Sequence, residues 1–433
     1  MQNYRKYISY IGIMLCVVLV SVVGATILNE KKTSRQLEWE SKLPERESIP
    51  KAEKKIRVLI KTDGFKQATH TSVKVKATNG LIMTVGKTKK EMKPKKTYTI
   101  TPDHKFFKQG RVIITPKKTE DRITIIGLKR GYGTPSYRGT LELYSTAEGI
   151  VIINELDVEE YLRAVVPSEM PSSYEIEALK TQAICARSYA FCQMSTYAYP
   201  NYKAHVDDST AYQVYGNSKE AERTDIAIKE TEQQLLYYKG KVVKTYYYST
   251  SCGHSTSVEA WGTKLTKANR YLKGTKIADE KGEDYEKDLP WYRWKISIPE
   301  QTLSNLIELN TGTEIGTLTN VEVIKRDMGG AICAIRVVGT EESKIIETEN
   351  KIRSALGGSG CQIIRQDGTK VASTSLLPSA FFTIAKKDGS YVLSGGGFGH
   401  GIGMSQNGAN EMAKKGKTYK EILSLFYPGT KVE

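Results

Sequence analysis

The chain has 433 residues, more than a usual single domain, and only the part after about residue 55 has a globular composition. Lys and Arg outnumber Asp and Glu by 64 to 48, and the net charge of +16 favours a polyanionic partner: nucleic acid, anionic lipid or the phosphates of a bacterial wall. The cysteines exclude a disulfide framework. Five of the six follow residue 28, an odd number, and Cys185 and Cys192 lie about 10 Å apart on one predicted helix.

The N-terminus predicts a membrane anchor. Residues 7–28 carry no charge and reach the roughly 20 residues that cross a bilayer as a helix. A cleaved signal peptide, cut near Val23-Gly24-Ala25, remains the alternative, although its apolar region is usually only about 7 to 15 residues long. We expect residues 1–6 to stay in the cytoplasm, residues 29–55 to form a charged linker, and the body to lie on the extracytoplasmic face of the cell membrane.

The body, residues 56–433, is predicted to be α+β, with mixed β-sheets and a groove. Runs rich in β-branched residues with period-two character predict its strands. They lie at 56–60, 71–77, 111–116, 122–128 and, as a pair around a turn, 137–156, followed by 241–251, 291–298 and 319–327.

A basic β insert spans Lys87 to Arg130, a stretch that contains fourteen Lys or Arg residues and four acidic residues. One interpretation is a surface that binds wall polyanions. The alternative is a solvated sheet edge that lysines protect from aggregation.

The middle of the chain predicts two helices around a turn. Asp157-Val158-Glu159-Glu160 is a capping pattern that opens a short helix, and Pro167-Ser168-Glu169-Met170-Pro171 predicts a turn bracketed by prolines. A second helix is predicted over 174–193, a third near 302–309, and a glycine-rich turn running into a helix over 394–417.

Common cofactor motifs are absent from the sequence. Gly86-Lys87-Thr88 lacks the glycine that a phosphate loop requires five residues earlier, and the run from Gly395 to Gly403 does not match G-x-G-x-x-G. Cys252 and His254 supply only two ligands of the four that a structural zinc site needs. We therefore predict no nucleotide, metal or other cofactor.

Several motifs in this order resemble the stage II sporulation protein D / LytB family of cell-wall proteins. The matching segments are YRGTLELY (137–144), NELDVEEYLRAVVPSEMP (154–171), ALKTQAICARSYA (178–190), QVYG (213–216), STSCGHSTSVEAWG (249–262) and GFGHGIGMSQNGANEMAKKGKTYKEILSLFYPGT (397–430). The anchor, the linker and the basic insert lie outside these motifs.

The resemblance implies a lytic transglycosylase that cleaves the glycan strands of peptidoglycan, with Glu169 catalytic. Such cleavage needs an acid that protonates the leaving oxygen, and the same group then accepts the proton of the sugar's 6-hydroxyl. Apolar neighbours would raise the pKa of Glu169 and a nearby helix N-terminus would lower it. Alternatively, Glu169 only neutralises that helix end. The sequence leaves both questions open.

The resemblance also implies a set of residues that bind the glycan. Arg187 is expected to hold Glu169 or a sugar substituent, with a structural salt bridge as the alternative. For His400 and Gln406 the alternative is a tight turn, and for Trp261, as for Tyr247, Tyr248 and Tyr271, it is packing in a sheet. The predicted substrate-binding residues are Ser168, Gln182, Arg187, Gln213, Tyr215, Ser249, Trp261, His400, Ser405 and Gln406.

Two departures from the family pattern stand out. The segment PNYKAHVDDSTAYQVYG lacks the cysteine of the metal site that some members carry, and Asn407 replaces the usual Tyr. A rival function is a non-catalytic wall-binding protein that activates an N-acetylmuramoyl-L-alanine amidase. Predicted partners are peptidoglycan glycans, wall polyanions and other wall hydrolases, and no nucleic acid. The occasion, whether sporulation, cell separation or mobile-element transfer, stays open.

Overall fold

The computed structural model describes residues 55–433, so the predicted tail and anchor and nearly all of the linker lie outside the described residues. In the described part of the chain, no helix combines the length and the apolar character needed to cross a membrane. This part divides into two compact units, each built from two stretches of chain. The first unit comprises residues 55–173 and Ala186–Gln234, and the second comprises Tyr174–Cys185 and Leu235–Glu433.

The first unit is rich in β-structure, as predicted. Its strands are β1 (Lys55–Leu59), β2 (Thr69–His70), β3 (Val73–Lys76), β4 (Leu81–Val85), β5 (Thr88–Met92), β6 (Tyr98–Ile100), β7 (Val112–Pro116), β8 (Ile123–Ile126), β9 (Ser136–Tyr137), β10 (Thr140–Thr146), β11 (Gly149–Asp157) and β12 (Val206–Asp207). The larger sheet runs β12-β1-β11-β10-β7-β4-β5, with β2 beside β11, and the smaller runs β6-β3-β8-β9.

Residue alternation explains these sheets. In β3 the valines are buried and the lysines exposed, because successive side chains of a strand point to opposite faces. The inner strand β11 is instead buried along most of its length. Val151 and Ile153 of β11 pack with Leu59 of β1 and Ala204 in one core cluster.

The basic insert supplies the edge strand β5, at one end of the larger sheet. Its first four residues are exposed, and only Met92 is buried. A lysine-rich edge strand resists pairing with other chains, which is the alternative that the sequence left open. Binding of polyanions stays a prediction.

The first unit also contains helices. They are α1 (Val158–Glu169), the C-terminal part of α2 (Ile176–Gln193), and α3 (Glu222–Glu230), with short 3₁₀ helices at Lys105–Gln109 and Pro200–Tyr202. The helix predicted at Asp157 is present, with Asp157 as its N-cap, but it is longer than expected.

The prediction of a turn over residues 167–171 is wrong for its first half. Pro167, Ser168 and Glu169 form the last turn of α1. A proline near the end of a helix removes only one of its hydrogen bonds, and Met170 N still donates to Val166 O. The helix ends at Glu169 because Met170 precedes Pro171 and takes an extended conformation.

The second unit combines several small sheets with helices, so the α+β prediction is confirmed. Its helices are the N-terminal part of α2, α4 (Glu300–Thr311), α5 (Glu349–Ala355), α6 (Gln406–Lys414) and α7 (Tyr419–Phe426), with 3₁₀ turns at Val258–Trp261, Arg270–Leu272 and Pro290–Tyr292. Its strands are β13 (Leu236–Tyr238), β14 (Lys241–Val242), β15 (Tyr247–Tyr248), β16 (Trp294–Pro299), β17 (Leu318–Arg326), β18 (Ile332–Gly339), β19 (Ser343–Glu347), β20 (Gln362–Arg365), β21 (Lys370–Ala372), β22 (Phe382–Lys387), β23 (Ser390–Gly395), β24 (Met404–Ser405) and β25 (Lys431–Val432).

These strands form sheets in the orders β21-β20-β16-β23-β22, β17-β18-β19, β14-β13-β25 and β15-β24. The continuous strand predicted over 241–251 is wrong in extent, since only β14 and β15 are regular there. The short strand β15 pairs in parallel with β24, and this pairing brings residue 248 beside residue 405.

Candidate active site

Glu169 lies at the C-terminal end of α1 in the first unit and is only 3% exposed. Its Oε1 accepts a 2.6 Å hydrogen bond from the backbone N–H of Val214. The C-terminal end of a helix disfavours negative charge, and this amide supplies compensation. The bond therefore fixes the carboxyl group against the segment 213–216.

Ser168 fastens the same segment to α1. Its hydroxyl donates to Ala164 O at 2.6 Å and accepts from the N–H groups of Asn217 and Ser218 at 3.1 and 3.0 Å. Gly216 N also donates to Ala164 O. Buried Ser168 thus positions the loop that holds Glu169, and contact between Ser168 and a glycan stays a prediction.

Tyrosines pack beside this turn. Tyr215 stacks on Tyr161 with 4.9 Å between ring centroids and donates to Asn154 Oδ1 at 2.6 Å. Tyr161 donates to Gln213 Oε1 at 3.3 Å. Burial raises the pKa of Tyr161 and of Tyr215 well above the usual value, so both remain neutral phenols. Gln213 and Tyr215 are buried, and a direct contact with substrate is again untested.

Two buried acids that were not selected from the sequence lie in the same unit. Asp207 accepts from Ser209 N at 2.8 Å and from Tyr199 OH at 2.6 Å. Asp208 accepts from Lys61 N at 3.0 Å and forms an ion pair with Arg130, while burial raises the pKa of Asp208 to about 6. Together with Glu169 they raise the pKa of Tyr161. The adjacent aspartates of HVDDST were the available sequence signal.

Arg187 forms the salt bridge that the sequence left as an alternative. Its Nε and Nη2 donate to the two carboxyl oxygens of Glu159, both at 2.7 Å, and the side chain is nearly inaccessible. Its Nη1 donates to Gln234 O at 3.2 Å. The guanidinium is therefore committed to Glu159 and not, as expected, to Glu169.

The second unit contains its own buried polar cluster. Gln406 Nε2 donates to Gln182 Oε1 at 3.3 Å. Asn407 N donates to Ser249 O at 2.9 Å, and its side-chain amide donates to Thr250 Oγ1 at 2.9 Å and accepts from Tyr174 OH at 2.6 Å. Ser405 Oγ lies 3.3 Å from Ser249 O, so the predicted residues Gln182, Ser249, Ser405 and Gln406 share one cluster.

Glu286 is the group in this cluster that sequence reasoning missed. Its Oε1 accepts from Ser251 N at 2.9 Å and from Ser405 Oγ at 2.7 Å, and its Oε2 accepts from Ser251 Oγ. The side chain is wholly buried, and burial raises its pKa to about 7.

His400 forms a tight turn with satisfied nitrogens. Nε2 lies 2.9 Å from Tyr247 O, which only accepts, so Nε2 carries the proton. Nδ1 accepts from Ile402 N at 3.0 Å. Burial, and next the charge of Arg353, lower the pKa of His400 to about 3, which keeps it neutral. This geometry matches the alternative left open for His400.

Trp261 is half-buried, and its indole Nε1 donates to Glu349 Oε1 at 3.0 Å. Glu349 also pairs with buried Arg353 at 3.1 Å. Tyr247, Tyr248 and Tyr271 are buried, so they have no open face for a sugar. Trp261 is the most accessible of these four aromatics.

Metal-binding groups of three or more His, Cys, Asp or Glu side chains do not occur among residues 55–433. Cys185, Cys252, Cys333 and Cys361 are free thiols.

Comparison with known proteins assigns the class. A family model described as "Stage II sporulation protein" matches residues 146–238, which include α1, Glu169 and the segment 213–216. A second model, a domain of unknown function (DUF8618), matches residues 263–403. The match to the stage II sporulation protein model fits a function related to the cell wall.

The relatives show the family. The chain is 30% identical to stage II sporulation protein D of Bacillus subtilis, over 68% of this chain and 78% of that protein. It is also 30% identical to an uncharacterized protein of Brachyspira hyodysenteriae, over 75% of this chain and 77% of that one. An amidase enhancer of Bacillus subtilis is 28% identical over 62% of this chain but only 40% of its own length. The chain belongs to the stage II sporulation protein D family.

Proposed function

We propose that this protein is a lytic transglycosylase that cleaves peptidoglycan glycan strands outside the cytoplasmic membrane, with Glu169 as acid and then base. Membership of a family connected with cell-wall remodelling supports the substrate class. The strands would be ones from which stem peptides have been removed. The membrane anchor, residues 7–28, is part of this proposal.

The observation that carries the proposal is the hydrogen bond between Glu169 Oε1 and Val214 N at 2.6 Å. It fixes the orientation of a buried carboxyl at the end of α1. Ser168 fixes the loop that supplies the amide. A proton donor must keep one geometry relative to the bond that breaks, and a carboxyl group held in one orientation supports this role for Glu169.

The proposed reaction balances with one carboxyl group. Glu169 donates its proton to the glycosidic oxygen between N-acetylmuramic acid and N-acetylglucosamine, and the bond from that oxygen to the anomeric carbon breaks. The 6-hydroxyl of the muramic acid then bonds to the anomeric carbon, and its proton passes to the Glu169 carboxylate. The products are a 1,6-anhydro end and a free 4-hydroxyl, and the enzyme is restored.

A second candidate is supported by the relative named amidase enhancer. In that case the chain binds the wall without cleaving it and accelerates a separate amidase. The two candidates predict different products from the same incubation.

The test is to incubate the purified full-length chain with peptidoglycan, intact or pretreated with amidase, and to analyse the products by mass spectrometry. A 1,6-anhydro end is about 18 Da lighter than a hydrolytic end because no water enters. Glu169→Gln should lower turnover by about 10²- to 10⁴-fold while glycan binding persists. Glu160→Gln is the matched control, since Glu160 lies on the same helix with its side chain 40% exposed.

Unchanged cleavage by Glu169→Gln would remove Glu169 from the mechanism. A wild-type chain that releases no glycan fragments but accelerates an added amidase would favour the second candidate.

A further inference from the structure

Glu286 joins two segments of the second unit that are far apart in sequence. Ser251 donates to it from both its backbone N–H and its hydroxyl, and Ser405 donates from its hydroxyl. Ser405 is also the N-cap of α6, where its Oγ accepts from Gly408 N at 3.1 Å. One carboxyl group therefore connects the segment 249–251 to the first turn of α6.

The surroundings of Glu286 are adapted to it. A Cβ atom at position 408 would lie 2.8 Å from Glu286 Oε2, so the glycine lets α6 approach the carboxyl closely. Within residues 55–433, no Lys, Arg or His comes within ion-pair distance of Glu286. A buried carboxyl without a cation is costly, and three hydrogen bonds compensate for it. An apolar side chain in this space would avoid the free-energy cost of burying a carboxyl group, but it would not join the two segments.

The joined segments present one polar group toward solvent. Asn407 is half-buried, whereas its neighbours Ser405 and Gln406 are buried. Its side-chain amide is oriented by Thr250 and Tyr174, and its backbone N–H by Ser249. An oriented amide suits the hydroxyl and acetamido groups of an amino-sugar polymer.

We propose that Glu286 is a positioning residue that holds Asn407 in the orientation in which its amide contacts the glycan. The inference rests on the proposed function, because it names a contact for the same substrate class. Glu286 is inaccessible and does not itself touch the glycan. It acts by holding Ser251, which follows Thr250, and Ser405, which lies two residues before Asn407.

Burial is the largest cause of the raised pKa of Glu286, ahead of any neighbouring charge. Glu411 of α6 raises the pKa of Glu286, and Glu286 in turn contributes to the raised pKa of Tyr174, Tyr248 and Cys252. Protonation would turn one acceptor oxygen into a donor, and a serine hydroxyl would have to reverse. We therefore expect glycan affinity of the wild type to weaken as the pH falls below about 7.

The experiment measures the Kd of full-length protein for peptide-free strands of alternating N-acetylmuramic acid and N-acetylglucosamine, and follows hydrogen exchange of residues 249–257 and 405–410. Glu286→Gln should raise the Kd about tenfold, as loss of a hydrogen bond to a charged group does, and speed exchange in both segments. Its Kd should no longer change below pH 7. Glu280→Gln, an exposed carboxyl of the same unit, is the matched control.

A double-mutant cycle tests the route of the effect. If Glu286 acts through Asn407, Glu286→Gln should change the Kd much less in an Asn407→Ala background than in the wild type. Should Glu286→Gln fail to fold, Ser251→Ala replaces it, because that change removes one hydroxyl of the join and leaves the α6 cap intact.

Faster exchange with an unchanged Kd would make Glu286 purely structural and overturn the proposal. Fully additive effects of the Glu286 and Asn407 substitutions would overturn it as well. A wild type that binds no glycan would instead overturn the proposed function, and the exchange data would still decide whether Glu286 joins the two segments.

Discussion

The backbone N–H of Val214 donates to the carboxyl of Glu169, 45 positions earlier in the chain. This hydrogen bond connects the segments VPSEMP and QVYG. The first supplies the carboxyl and the second supplies the amide that orients it. Ser168 controls this contact, because its hydroxyl binds the loop that follows Val214.

Ser168→Ala should therefore impair both stability and cleavage. It leaves the N–H groups of Asn217 and Ser218 without their acceptor, which should cost about 1 to 3 kcal/mol of the free energy of unfolding. Displacement of the loop should lower kcat about tenfold. Denaturant unfolding and a cleavage assay measure the two effects. Ser195→Ala, at an exposed position of the same unit, should change neither. An unaffected kcat in Ser168→Ala would show that the loop does not orient Glu169.

Arg187 and Glu159 should behave as a structural pair. Arg187→Gln leaves Glu159 without its bidentate partner, and we expect about 3 kcal/mol lower stability. In a double-mutant cycle, the double variant with Glu159→Gln and Arg187→Gln should recover part of the lost free energy of unfolding. Arg223→Gln, at an exposed position of the same unit, is the control. Normal stability of Arg187→Gln with a large loss of glycan affinity would restore Arg187 to the substrate-binding set.

Two buried groups should make opposite contributions to the pH dependence of stability. The pKa of His400 is lowered from 6.5 to about 3, so the unfolded chain binds the proton first and stability from His400 is lost as pH falls from about 6.5 to 3. The pKa of Glu286 is raised from 4.5 to about 7, so its contribution is lost as pH rises between those values.

Each slope approaches about 1.4 kcal/mol per pH unit within its window. Unfolding free energies of wild type, His400→Gln and Glu286→Gln, measured by denaturant from pH 4 to 7, should yield difference curves of opposite sign. Parallel curves would show that neither group titrates as the buried environment requires.

The basic insert should bind wall polyanions through long-range charge. Raising NaCl from about 0.1 to about 1 M shortens the Debye length from about 10 to about 3 Å, and binding to sacculi should fall steeply. A variant with glutamine at four lysines of the insert should show the same loss of binding; the four are Lys87, Lys89, Lys93 and Lys96. A control variant with glutamine at four exposed lysines of the second unit should bind normally; these are Lys264, Lys267, Lys273 and Lys281. Binding that resists both salt and the first set would leave β5 a protected sheet edge.

The proposed topology is tested on intact protoplasts. Because the predicted anchor precedes the whole body, added protease should degrade residues 56–433 and leave a short membrane-bound fragment. A cytoplasmic protein serves as the control for intact membranes. Protection of the body would contradict export.

Local patterns predicted much of the fold. Period-two runs identified most of the longer strands, and the capping pattern at Asp157 located the start of α1. Pro167 was misleading, because a proline in the last helical turn costs too little to end the helix.

Less of the candidate site than of the fold could be predicted from the sequence. The resemblance selected Glu169, but nothing near Glu286 in sequence marks it, since its partners Ser251 and Ser405 lie 35 and 119 positions away. For His400 and Arg187 the structure matches the alternatives, a tight turn and a salt bridge, and the partners of both side chains depend on contacts that no local pattern encodes.

The division of the chain within α2, between Cys185 and Ala186, affects how this protein can be synthesised and dissected. All residues of the first unit have been synthesised once residue 234 is made, whereas the unit that contains Tyr174–Cys185 is complete only after residues 235–433 have been added. A fragment that stops at residue 234 would therefore carry half a helix without its packing partners, and a fragment that starts at residue 235 would lack Gln182. Neither complete unit can therefore be produced by truncating the chain at a single position.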